Sequence, residues 1–366
     1  MVYGLMADLH LHCWSAFSEV DEAGINTRLK GLLNEIYRCA KEVKEAGGKY
    51  VVIAGDVFHV RGSVSPTVLN ATRDMFARVY KDLGIRFVIM PGNHDLEGKD
   101  SSRLSSAVTA LESENVHVCN EPAQLTDVLE HRRVVLVPWY ESIEKLKEVI
   151  VELTGSPSHD DAIHLILHAP IDGVIPGIPE HGLTPDYLAH KLDVAVERVF
   201  AGHYHNHKSF HGGKVHSIGA LAHHTWSDVG SKAGFLLVSK TDVVWRKSHL
   251  PEFIDLSKVA DLSEEEIPLL VDKNYVRIRV ESSKLSEIEA AKKELLEHGA
   301  AAILVQAMPK SVVRESGTAV VKVKSSADSL EESIVEYAST VAGVPKEALI
   351  AEVMSIYSKV STEALV

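Results

Sequence analysis

Short apolar runs and helical stripes alternate along the first two hundred residues, the pattern of an α/β layered fold. Ile25, Leu29, Leu32, Leu33, Ile36, Ala40 and Val43 recur at three- and four-residue intervals. That spacing predicts a core-facing helix over 25–46, closing at Gly47 and Gly48. The next segment, Tyr50 to Ala54, is a β-branched apolar run that predicts a buried strand ending at Gly55-Asp56. The arrangement returns where IRFVIM (85–90) runs into PGNHD, LIL (165–167) into His168-Ala169-Pro170, and ERVFA (197–201) into GHYH. Each predicted strand delivers polar residues just past its last apolar position, where open α/β sheets place ligands and chemistry. Further strands are predicted at 134–138, 215–218, 234–239 and 242–246, and a stripe at 69, 76, 79, 80 and 83 predicts a helix packed on the core.

Beyond residue 250 the pattern changes. An acidic, proline-containing stretch at 251–274 predicts a surface connection after a first domain of residues 1–250. Residues 275–280 alternate as a strand, 284–298 suit a helix, and 301–305 and 319–323 suit strands, giving a small α/β cap over 275–325. The segment 326–366 is predicted helical, with stripes at Leu330, Ile334, Tyr337 and Val341 and at Ile350, Val353, Ile356, Tyr357 and Val360. These stripes would pack on the chain's own cap or dock on a partner, and the sequence does not choose between the two.

Composition narrows the classes. At 366 residues and 45% hydrophobic content the chain can bury a large core, and its apolar stretches are too short to span a bilayer. No secretion signal is visible at the N-terminus, and the three cysteines, Cys13, Cys39 and Cys119, form no paired motif. A cytoplasmic protein without membrane attachment is expected. The formal charge of −13 argues against nucleic-acid binding by overall electrostatics, so an anionic substrate would need bound cations, local basic groups or a partner.

Candidate chemistry lies in five motifs: Asp8-x-His10, Gly55-Asp56-x-x-His59, Gly92-Asn93-His94-Asp95, His168, and Gly202-His203-x-His205. Any one of these alone is an ordinary cap or surface group; five in order are not explained that way. Carboxylate, imidazole and amide oxygen suit manganese, iron or zinc. Two such ions about 3.5–4 Å apart would activate water and neutralise a phosphoryl group. The later histidines, His207, His211, His216, His223 and His224, are expected to be solvated loop residues.

Together the five motifs resemble the calcineurin-like metallophosphoesterase superfamily, and within it the SbcD type of DNA-repair nuclease subunit of bacteria or their phages. The resemblance implies a four-layer sandwich, two mixed β-sheets flanked by helices, with a small α/β cap and C-terminal helices. It implies that Asp8, His10 and His205 hold one divalent ion, most fittingly manganese, that Asn93, His168 and His203 hold a second, and that Asp56 bridges them. It further implies His94 as the acid, Asp95 as the group orienting its imidazole, and His59 as a substrate contact. The implied activity is exonuclease and endonuclease cleavage of DNA ends, double- or single-stranded, in repair or recombination, by a homodimer working with an SbcC-like coiled-coil ATPase that the C-terminal helices contact. No GxxxxGK[ST] is present, so ATP hydrolysis is not expected of this chain. DLHLH also resembles the opening of the PHP phosphoesterases, which does not explain GNHD followed by GHxH. His12 stands where the nuclease type usually has glycine. Two other functions share the motifs: a calcineurin-like enzyme acting on small phosphate esters or cyclic nucleotides, and a non-enzymatic DNA-end-binding scaffold.

Overall fold

The structure is a computed structural model that describes residues 2–129, 131–155, 162–178, 180–258, 265–281 and 285–308. Along the chain, β1 (Val2–Met6), α1 (Thr27–Glu45), β2 (Tyr50–Ala54), α2 (Pro66–Leu83), β3 (Arg86–Met90) and β4 (Val116–Val118) come first. They are followed by β5 (Ala123–Leu125), β6 (Arg132–Val137), α3 (Ile143–Thr154), β7 (Ala162–His168), α4 (Pro185–His190), β8 (Val196–Gly202), β9 (Lys208–Phe210) and β10 (Val215–Ser217). Then β11 (Gly234–Ser239) and β12 (Val243–Lys247) return to the first group. Last come β13 (Phe253–Asp255), α5 (Glu266–Val271), β14 (Tyr275–Glu281), α6 (Leu285–Glu297) and β15 (Ala302–Met308).

The first sheet has the order β12-β11-β1-β2-β3-β4 and the second β5-β6-β7-β8-β10-β9. Both are mixed. The strands β1 to β4 run parallel, with β11 antiparallel to β1 and β12 antiparallel to β11; β6, β7, β8 and β10 run parallel, with β5 and β9 antiparallel at the edges. Side-chain alternation explains the layering. In β2, Val51 and Ile53 face α1 and α2, while Val52 and Ala54 enter a core shared with Leu136, Ile166 and Phe200 of the second sheet. In β6, Val134 and Leu136 join that shared core, and Val135 and Val137 pack under α3 and α4. Strands buried on both faces must be apolar at nearly every position, which is why these runs were legible. The four-layer arrangement expected from the sequence is present.

Local signals set the helix bounds. Asn26 caps α1 by accepting from the backbone N–H groups of Arg28 and Leu29. Ser65 and Pro66 open α2, and Gly84 closes it in the left-handed region at φ 70°. Phe76 and Val79 of the second stripe are buried against the core, with Leu69 and Leu83 partly buried beside them.

The third sheet, β13-β14-β15, is parallel. The stretch 251–274, expected as a surface connection, supplies its first strand, with Phe253, Ile254 and Asp255 all buried, and also the helix α5. Three residues are too few to show alternation, so composition alone concealed this strand. Asp255 accepts from Arg277 and pairs with Arg279 across the sheet. The predicted strand at 319–323 and the helical stripes of 326–366 lie outside the described residues. Among the described residues no helix is long and apolar enough to cross a membrane.

Candidate metal centre

The carboxyl ends of β1, β2, β3, β7 and β8 open on one place where the two sheets meet. Asp8 and His10 follow β1, Asp56 follows β2, Asn93 and His94 follow β3, His168 ends β7, and His203 and His205 follow β8. The backbone is strained there. Asp8, His10, Asp56 and His203 have φ of 51°, 43°, 52° and 102°, a region costly to side chains with a Cβ and found where function over-determines the conformation. Four of the eight non-glycine residues with positive φ among those described are thus candidate ligands.

Cross-bonds hold these turns together. Asp8 N–H donates to the Gly55 carbonyl and His10 N–H to the Asp56 carbonyl, His94 N–H donates to Asp56 Oδ1 at 2.8 Å, and His203 N–H to both Asp8 oxygens at 3.0 and 3.1 Å. The motif glycines permit the crowding. A Cβ on Gly55, whose φ is +89°, would stand 2.1 Å from His168 Nδ1, and one on Gly92 would stand 2.2 Å from Asp56 Oδ1.

The side chains include two close groups that share Asp8, with Asp56 reaching toward a histidine of each. Ligand atoms of Asp8, His10 and His205 lie within 4.8 Å of one another, as do those of Asp8, Asp56 and His168. Asp56 Oδ2 is 3.7 Å from His10 Nε2, and Asp56 Oδ1 is 3.5 Å from His168 Nε2. Asn93 Oδ1 stands 3.2 Å from His168 Nε2 and 3.0 Å from His203 Nδ1. All seven residues expected as ligands are therefore in one pocket.

Hydrogen bonding at the outer nitrogens decides what the inner ones offer. His168 Nδ1 donates to the Ala54 carbonyl at 2.8 Å, and His205 Nδ1 donates to Asp228 Oδ1 at 2.7 Å. Each imidazole then turns a lone pair on Nε2 inward. His205 Nε2 meets His10 Nε2 at 3.1 Å, and His168 Nε2 meets an amide oxygen and a carboxylate. Acceptors converging on acceptors repel unless positive charge stands among them, so this donor set fits divalent cations. The carboxylates attract charge even as a proton. Burial opposes it, yet Asp56, followed by Asp8, raises His168 to about 9, while burial raises Asp8 to about 6 and lowers His203 to about 3.

Two expectations need correction. The carboxylate of Asp95 does not orient the His94 ring. It is fully buried and accepts from the backbone N–H groups of Gly92, Val57 and Phe58 at 3.0, 3.2 and 2.9 Å. Its acid is raised to about 7, chiefly by burial and then by Asp56. His94 is instead held by the His59 carbonyl, 2.6 Å from its Nδ1. In a tight turn consecutive side chains diverge, so adjacency in sequence misled. Likewise His216, His223 and His224 are buried, not solvated.

His224 donates from Nε2 to the Asp8 carbonyl at 2.9 Å and packs on His10 and His205. His59 is half-buried beside His94, with ring centroids 5.7 Å apart, and burial, then His12 and His94, lower it to about 4. His12 lies against Trp14 and His59 at the rim. Trp139 stacks on His203 at 5.1 Å. Sequence reading missed the roles of Asp228, His224 and Trp139, because His224 and Asp228 reach the pocket from the β10–β11 connection and Trp139 from the segment after β6, with no motif spacing to mark them.

Residues 1–207 match the calcineurin-like phosphoesterase family. No curated protein matches the chain. Among solved structures, a dimetal phosphatase from Danio rerio is similar at 12% identity, over 68% of this chain and 95% of that one, with a TM-score of 0.42.

Proposed function

The chain belongs to the calcineurin-like phosphoesterase family, and on that basis we propose that it is a two-metal phosphodiesterase that cleaves DNA ends as an SbcD-like nuclease subunit. The observation that carries the reading is the convergence of Asp8, His10, Asp56, Asn93, His168, His203 and His205 on one pocket at strained strand ends. Asp8, His10 and His205 would hold one cation and Asn93, His168 and His203 the other, with Asp56 between them. When bound, such a pair acidifies water and neutralises phosphoryl oxygens.

The chain's own residues supply the rest. His94 donates a hydrogen bond from Nδ1 to the His59 carbonyl, so that as an imidazolium it would pass its Nε2 proton to the departing oxygen and be left as the neutral Nδ1–H tautomer. His59, neutral at pH 7 because its pKa is lowered to about 4, would contact the phosphodiester at the rim. Asp95 fixes the turn that presents Asn93 and His94. Support for a nucleic acid over a small ester comes from the Gly55-Asp56-x-x-His59 motif and the placement of its histidine next to His94. In this reading the chain is a homodimer, and residues 326–366 engage an SbcC-like ATPase.

Purified protein with manganese is to be incubated with end-labelled duplex DNA, single-stranded DNA and bis-p-nitrophenyl phosphate. Shortening of labelled DNA supports the nuclease; release of nitrophenol with intact DNA rejects it.

A further inference from the structure

Outside the centre, three donors meet between α4 and the turn that joins β9 to β10 at the edge of the second sheet. Asp186 and His190 stand four residues apart on α4 and so share a face. His211 begins the 3-10 turn His211–Gly213 that follows β9. Its Nε2 lies 3.1 Å from Asp186 Oδ1, and its ring meets that of His190 edge-on, centroids 4.9 Å apart at 84°. One ligand atom from each of the three falls within 4.8 Å of the other two, and all three residues are exposed.

From this geometry we infer that Asp186, His190 and His211 form a separate mononuclear site for a zinc-class transition-metal ion. The donor set, two imidazoles and one carboxylate, is that of zinc sites that keep a fourth position open. Ligands about 2.0–2.1 Å from a tetrahedral ion stand roughly 3.3 Å apart, close to the Asp186–His211 separation, so only His190 needs to adjust. The backbone is already arranged for it. His211 is held in the left-handed region at φ 49°, and Lys214 Nζ donates to the Ala189 carbonyl at 2.7 Å, tying the turn to α4. None of the three is among the seven residues of the centre. An ion here would clip α4 to the β9–β10 turn, and binding to the folded state alone stabilises by mass action.

The experiment is a zinc titration of the metal-free full chain, with bound zinc counted after equilibrium dialysis, for wild type and for His211→Ala and His190→Gln. Each variant is expected to lose one zinc equivalent relative to wild type, and to show a smaller rise in Tm on zinc addition. The two substitutions are at exposed positions, and an unchanged Tm in chelator verifies that each variant is folded. Equal zinc stoichiometry in wild type and both variants overturns the site. Because the count is a difference between chains with the same centre, it reads independently of whether the centre cleaves phosphodiesters.

Discussion

Asp228 Oδ1 and His205 Nδ1 stand 2.7 Å apart, and this contact fixes which nitrogen of His205 faces the centre. The carboxylate is itself pinned, its other oxygen accepting from the backbone N–H groups of His224 and Thr225 at 2.7 and 2.9 Å. Asp228→Ala frees the ring to rotate and removes the group that makes Nε2 basic. Metal affinity is expected to fall about 10–100-fold, measured by calorimetric titration of manganese, with the fold unchanged by circular dichroism.

His94→Ala separates binding from chemistry. In the proposed reading His94 is the acid and not one of the seven ligands, so metal stoichiometry is expected to match wild type while the cleavage rate falls about 10²–10⁴-fold. Full turnover in a variant of verified metal content would remove His94 from the reaction.

Gly55→Ala tests the close approach beneath the centre. The new methyl meets His168 at 2.1 Å in a backbone held at φ +89°, and left-handed strain alone costs on the order of 1–3 kcal/mol. A Tm well below wild type together with lost metal is expected, since His168 must move.

The pocket was legible where chemistry follows an apolar run. Tyr50–Ala54 and Gly234–Ser239 match the predicted strands residue for residue, and Arg86–Met90 differs by one, because burial on both faces leaves no polar position to blur the ends. Asp56, His168 and His203 were found for the same reason: each sits one or two positions past such a run, whereas Asp8 was found from the order of the motifs, with no strand predicted ahead of it. Asp228 and His224 were not, since their partners are 23 and 216 residues away in sequence and only tertiary packing brings them in. The role of Asp95 was misread because it depends on where backbone N–H groups point, which no residue pattern records.

Stability should fall in acid partly through His164, buried between the sheets with Nδ1 3.1 Å from the Tyr3 hydroxyl. An unfolded chain protonates this imidazole below about pH 6.5, whereas burial, helped by Arg198 and Arg132, keeps it neutral in the fold down to about 3. Between those values the unfolded state binds the extra proton, so stability drops as pH falls through the window. In His164→Leu the dependence is expected to be shallower by up to about 1.4 kcal/mol per pH unit, read from urea unfolding in chelator at pH 5 and pH 7. An identical pH slope in the two proteins would exclude this group.

Everything rests on seven residues gripping two neighbouring cations. Anomalous diffraction at the manganese edge, from crystals grown with manganese, tests this directly. The expected result is two peaks about 3.5–4 Å apart on either side of Asp56, one beside His10 and His205, the other beside Asn93, His168 and His203. A single peak, or none in this pocket, would contradict it.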